Sequence, residues 1–188
     1  MIGELPTRLE VNGKSYAIRT NMRDVLKILQ AFGDPELENE EKVYICLFIL
    51  YRDFDEMSQD DYAAAYQAAM DFIDCGLKTG TSKGRPPVRT MDWEQDAPLL
   101  FPAINKVAGR EVRSLPYLHW WTFMGYYMEI NDGIFAQVMS LRSKKAKGKK
   151  LEKWEREFWA ANKDLCTLKV RRSAEEQAEI DRLNKLLE

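Results

Sequence analysis

Chemistry in a protein of this size starts from side chains that can attack, move protons or hold a metal, and this sequence offers few in useful company. His119 is the only imidazole, and it sits inside the aromatic run LHWWTFMGYY, Leu118 to Tyr127. Acid–base or nucleophilic work needs such a ring beside a nucleophile and a group that orients it. Cys46, Cys75 and Cys166 could supply a thiolate, but they show no CxxC or metal-type spacing and nothing around them suggests activation. They read as reduced, structural thiols. The acidic pairs at Asp53-Asp55-Glu56 and Asp60-Asp61 lack the DxDxDG frame and closing Glu of a calcium loop. Carboxylates there are favoured by helix N-termini without any ion. The stretch GLKTGTSKGRPPVRTM, Gly76 to Met91, holds three glycines and four cations but no GxxxxGK[ST] frame and no preceding apolar strand. We therefore expect no catalytic residue, no metal and no cofactor, and a protein that is not an enzyme.

Charge is uneven along the chain. The 28 basic and 30 acidic residues nearly cancel, yet Asp34 to Asp61 is acidic apart from Lys42 and Arg52. Lys144, Lys145, Lys147, Lys149 and Lys150 fall in the basic segment from Ser140 to Arg172. Such a run can neutralise nucleic-acid phosphates, but the whole chain is not basic and no reading helix accompanies it. A solvated, mobile segment is the expectation. Trp120, Trp121 and Trp154 are assigned to core packing rather than to a stacking platform for bases.

The elements that position these residues are helical. RLEV, Asn12-Gly13 and KSYAIRT spell a β-hairpin, because both turn positions need positive φ. Its apolar residues need a helical layer to cover them. Helices are expected from Thr20 or Asn21 to Gly33, from Glu40 to Arg52, and from a Ser58-x-x-Asp61 capping box to Gly76. The second is apolar round so much of its circumference that it should be largely buried. Asp92 is the expected cap of a fourth, with Pro102 kinking it unless it starts near Leu99. Leu115 or Pro116 to Ile130 reads as a buried central helix. Its uncharged stretch of about 15 residues falls short of the roughly 20 that span a bilayer.

Beyond the turn at Asn131-Asp132-Gly133, one helix leads into the lysines and another places Leu151, Trp154, Phe158 and Leu165 on one side. SAEEQAEIDRLNKLLE opens with a Ser173-x-x-Glu176 box and strings Ile180, Leu183 and Leu187 along a narrow stripe. Together these make a mainly α protein, a compact multi-helix bundle with a small N-terminal β-hairpin. Residues 1–170 are expected as a single helical domain, with the hairpin at 5–20 and a flexible loop at 76–91, and 171–188 as an amphipathic helix. The N-terminus carries no basic-then-apolar leader pattern, so the expected compartment is the cytoplasm.

Three blocks carry a resemblance. DWEQDAPLLFPAIN (Asp92 to Asn105), LHWWTFMGYY, and LRSKKAKGKKLEKWEREFW (Leu141 to Trp159) together resemble the bacteriophage gene product fifteen family. That family's pattern is a short hairpin start, a DfxxD block, an LHWW.F block and iR.kk.kgKkL.kwE. Arg142, Lys149, Lys150, Leu151, Trp154 and Glu155 match the last block. The resemblance runs from about Leu5 to Asp164 and implies a tail assembly chaperone of phages or prophages, acting in the host bacterial cytoplasm. Its implied partners are the tape measure protein and the tail tube protein, and a homo-oligomer is compatible with it. Candidate partner-binding residues are Ile180, Leu183 and Leu187 on the last helix, with Lys144, Lys145, Lys147, Lys149 and Lys150 beside a mobile segment. Two other readings stand beside it: a structural component retained in the virion, and a nucleic-acid-binding accessory protein using the 144–150 segment.

Overall fold

The computed structural model describes residues 3–77 and 89–187 of the chain. The first element is the expected hairpin, β1 (Arg8–Val11) and β2 (Lys14–Ala17), paired so that Leu9 faces Tyr16 and Val11 faces Lys14. Asn12 and Gly13 take φ of 50° and 79°, the mirror-image turn that matches strand twist. The hairpin is held from below by Asp61, whose carboxylate accepts from Asn12 Nδ2 and Lys14 Nζ at 2.8 Å and from Tyr16 Oη at 2.9 Å. This replaces the capping box expected at Ser58: its side chain makes no cap bond, and Gln59–Asp61 is a single 3-10 turn. The Asp61 carboxylate is committed to the hairpin and makes no cap bond to the helix that follows.

Helices follow in the expected order. α1 (Met22–Phe32) is capped by Asn21, which accepts from the Arg23 backbone N–H, and buries Met22, Val25 and Ile28. α2 (Asn39–Leu50) opens with a reciprocal Glu38–Glu41 box. It is less buried than its composition implied. Cys46, Leu47 and Leu50 face the core, while Tyr44 and Phe48 are each 54% exposed. α1 and α3 (Tyr62–Ile73) cover one side of α2, and its two outward aromatic rings stack on each other at 6.2 Å.

α4 (Ala97–Ala108) starts five residues after the expected cap and keeps Pro102 inside, ending at Gly109 with φ 68°. Asp92 instead closes the turn before it, accepting from the Glu94 and Gln95 backbone N–H groups. α5 (Trp120–Met128) also starts late. Leu118 and His119 are kept out of the helix because Leu118 O accepts from Met22 N at 2.9 Å and Trp120 N donates to Thr20 O at 2.7 Å. Long-range backbone pairing within the chain there outcompetes helix propagation.

α6 (Gly133–Ala146), α7 (Lys153–Ala161) and the short α8 (Lys163–Cys166) share a second small core of Val138, Leu141 and Cys166, joined by Leu151, Phe158 and Trp159. The expected inward stripe on α7 is broken: Trp154 is 56% exposed and Glu155 is buried. A Glu152–Glu155 capping box sets where α7 begins and turns residue 155 inward. α9 (Ala174–Leu187) opens with the expected box, Ser173 Oγ accepting from Glu176 N at 3.1 Å. Of the loop expected over 76–91, residues 78–88 lie outside the described residues. Among the described residues, no helix is long and apolar enough to cross a membrane.

Candidate partner-binding surface

The opening aromatic run is a set of braces. Trp120 Nε1 donates to Ile73 O at 2.8 Å and Trp121 Nε1 to Phe72 O at 2.9 Å, so two indoles satisfy the C-terminal carbonyls of α3. His119 caps α5: its Nδ1 accepts from the Trp121 backbone N–H at 3.0 Å. That leaves the ring proton on Nε2, which lies 3.0 Å from Pro6 O and donates to it. Both nitrogens of the lone imidazole are thus engaged by backbone.

The acidic-aromatic block does the same for the C-terminal half. Asp96 and Arg142 are both buried and meet bidentately, Nη1 to Oδ2 at 2.7 Å and Nη2 to Oδ1 at 2.9 Å. Arg142 also donates to the carbonyls of Thr90, Leu165 and Cys166, and so links α4, α6 and α8. Asp92 receives Arg89 and Arg171 on its two oxygens. Burial opposes its charge, but the Gln95 N–H and the Arg171 guanidinium outweigh that and hold its carboxyl below the ordinary range. The Gln95 side chain pins the strap after α8, donating to Thr167 O at 2.7 Å and accepting from Lys169 N at 2.9 Å.

The expected binding lysines divide. Lys144 and Lys145 belong to the last turn of α6 rather than to a mobile segment. Lys144 pairs with the buried Glu155, holding that carboxyl below its ordinary range, and Lys145 lies 4.1 Å over the Trp159 ring. Lys147 follows the helix end, and Lys149 and Lys150 are exposed. Lys145, Lys149, Lys150 and Arg156 surround a cleft of about 440 Å³ floored by Leu151 and Trp159.

Trp154 opens a different groove. It lines about 480 Å³ between α6 and α7 together with Ile134, Gln137, Leu141 and Glu155. Trp154 and Ile134 are 56% and 55% exposed, so two large apolar side chains stand open on one wall-and-floor arrangement. Sequence reasoning missed both. The Glu152-x-x-Glu155 box was the available signal, since it sets the rotation of α7. On α9, Leu183 and Leu186 are exposed at 52% and 75%, Ile180 is half-buried, and Leu187 closes the helix.

Burial keeps the thiols in their protonated form at neutral pH. Burial pushes Cys46 up to about 12 and Cys75 up to about 11, and Cys166 is raised by burial as well. Among the described residues, no group of three or more His, Cys, Asp or Glu side chains converges as a metal site would.

No curated protein and no solved structure matches the chain significantly. A family described as Bacteriophage Gp15 protein matches residues 1–168. That span contains the tryptophan braces, the Asp96–Arg142 pair and the Trp154 groove, and it ends before α9. A chain matched over this much of its length, with its three motif blocks each tying helices together, is a phage protein and belongs to the Bacteriophage Gp15 family.

Proposed function

We propose that the protein is a phage tail assembly chaperone that binds an amphipathic helix of the tape measure protein while tail tube subunits assemble around it. The observation that carries this reading is the exposed pair Trp154 and Ile134 over the groove between α6 and α7, inside the span matched to the phage family. Large apolar side chains left in water beside a groove mark interaction sites. A groove of this kind suits a helix offering apolar residues at i, i+3 and i+4. α9 lies past residue 168, outside the matched span, so a role common to the family rests better on this groove than on the Ile180-Leu183-Leu187 stripe.

The test is co-expression of the tape measure protein from the same phage with tagged wild type, Trp154→Ala and Ile134→Asp. Wild type should capture it, and either substitution should lower capture at least tenfold while the circular dichroism spectrum is unchanged. Capture that is absent in wild type, or unaffected by both substitutions, overturns the reading. Mass spectrometry of purified virions then separates a chaperone, which is absent, from a retained structural component.

A further inference from the structure

α9 is a 14-residue helix with little of the body against it. An isolated helix of that length is marginal in water, so a sequence with a full capping box and exposed leucines invites a partner. Glu175, Glu179, Leu183 and Leu186 fall on one face, at spacings of four, four and three residues, with Arg182 at its edge. Neither carboxylate has a partner among the described residues, and both leucines are more than half exposed.

The cleft around Trp159 has the opposite character. The Lys149 and Lys150 ammonium groups have no partner among the described residues, Arg156 Nη1 donates to Leu151 O at 2.7 Å, and Leu151 and Trp159 form an apolar floor. Two unpaired acids ahead of two leucines face, in chemistry, two unpaired lysines beside an indole and a leucine. In the structure the helix is not seated in its own cleft, since Leu183, Leu186, Lys149 and Lys150 all stay exposed. The strap from Thr167 to Ala174 is pinned by Gln95, by Arg171 on Asp92 and Glu94 at 2.7 and 2.6 Å, and by Ala174 N on Glu36 Oε1 at 2.5 Å. That pinning roots α9 beside the end of α1.

We infer that α9 of one copy docks, acidic face first, in the Lys149–Trp159 cleft of a second copy, and reciprocally, giving a two-fold dimer. Such an isologous exchange closes on itself and leaves the Trp154 groove, on the other side of α7, open in both copies. The inference stands independently of the proposed chaperone role, since it concerns self-association alone.

Sedimentation velocity on the full chain tests it. Wild type should run near twice the 21.9 kDa of one chain at micromolar concentration and shift toward the single-chain mass as salt rises. Glu175→Lys/Glu179→Lys and Lys149→Glu/Lys150→Glu should each be monomeric alone. Mixed together they should recover the doubled mass, because each helix again meets a cleft of opposite charge. Leu183→Asp, at an exposed position, should give a folded monomer. A monomeric wild type, a dimer that survives either charge reversal, or a mixture that stays monomeric overturns the inference. Loss of tape-measure capture by the cleft variants, with wild type monomeric, would instead assign the cleft to that client.

Discussion

The guanidinium of Arg142 meets the carboxylate of Asp96 through two parallel hydrogen bonds, with both side chains inside the protein and 46 residues apart in sequence. Arg142 also donates to three carbonyls from the residues before α4 and from α8, so one side chain holds the two cores in register. Arg142→Met should cost about 3–5 kcal/mol, because it leaves a buried carboxylate uncompensated. Arg142→Lys should recover little of this, since an ammonium cannot serve the carboxylate and three carbonyls with one planar fork. Chemical denaturation of both variants checks the pair.

Asp61 makes stability depend on acid. The Lys14 ammonium, with Asn12 and Tyr16, lowers its carboxyl from the ordinary 3.8 to about 2. A group depressed in the folded state contributes fully above its unfolded value and loses that contribution as pH falls through the folded one. Wild type should therefore lose stability between about pH 4 and pH 2 more steeply than Asp61→Asn, which should already be weaker at neutral pH. Denaturation midpoints measured across that window decide it.

Two indoles sit one residue apart on α5 with different exposure. Trp120 is 1% exposed and Trp121 is half-buried, yet each donates to a carbonyl at the end of α3. Trp120→Phe should cost more, about 1–3 kcal/mol for the Ile73 carbonyl, left with only the weak Cys75 thiol donor, plus the lost packing. Trp121→Phe should cost about 1 kcal/mol, because water can reach its site. Thermal melts of the two single variants give the order.

Trp154 behaves as a surface residue despite lying in a motif block. Trp154→Ala should change stability by no more than about 0.5 kcal/mol. Glu155→Ala, one position on, should destabilise clearly, because it removes the Lys144 partner and the return half of the α7 box. Equal destabilisation by the two substitutions would mean that α7 is rotated from the position described.

Thiol labelling reports burial directly. With its thiol pushed up to about 12, Cys46 should stay unmodified by a thiol-reactive probe at neutral pH and label only on unfolding. Cys166, also buried, should follow it, and half-buried Cys75 should label first.

Local information in the sequence determined the elements whose signals are short-range. Asn12-Gly13 placed the hairpin turn, Thr20-Asn21 and Gly33 bounded α1, and Ser173-x-x-Glu176 opened α9, because each is decided by φ preference or by a cap within three residues. The motif blocks were legible as family markers too. Their use as braces was not, since it depends on what stands across the gap: Ile73 for Trp120, Asp96 for Arg142, the hairpin for Asp61. Tertiary contact moved the start of α5, where pairing with Thr20 and Met22 beat helix propensity. It also decided which apolar side chains remain in water, because a periodic pattern tells that a helix has an apolar face and only the neighbouring elements determine whether that face is covered. Tyr44, Phe48 and Trp154 are outside for that reason, and the surface available to a partner is set by packing.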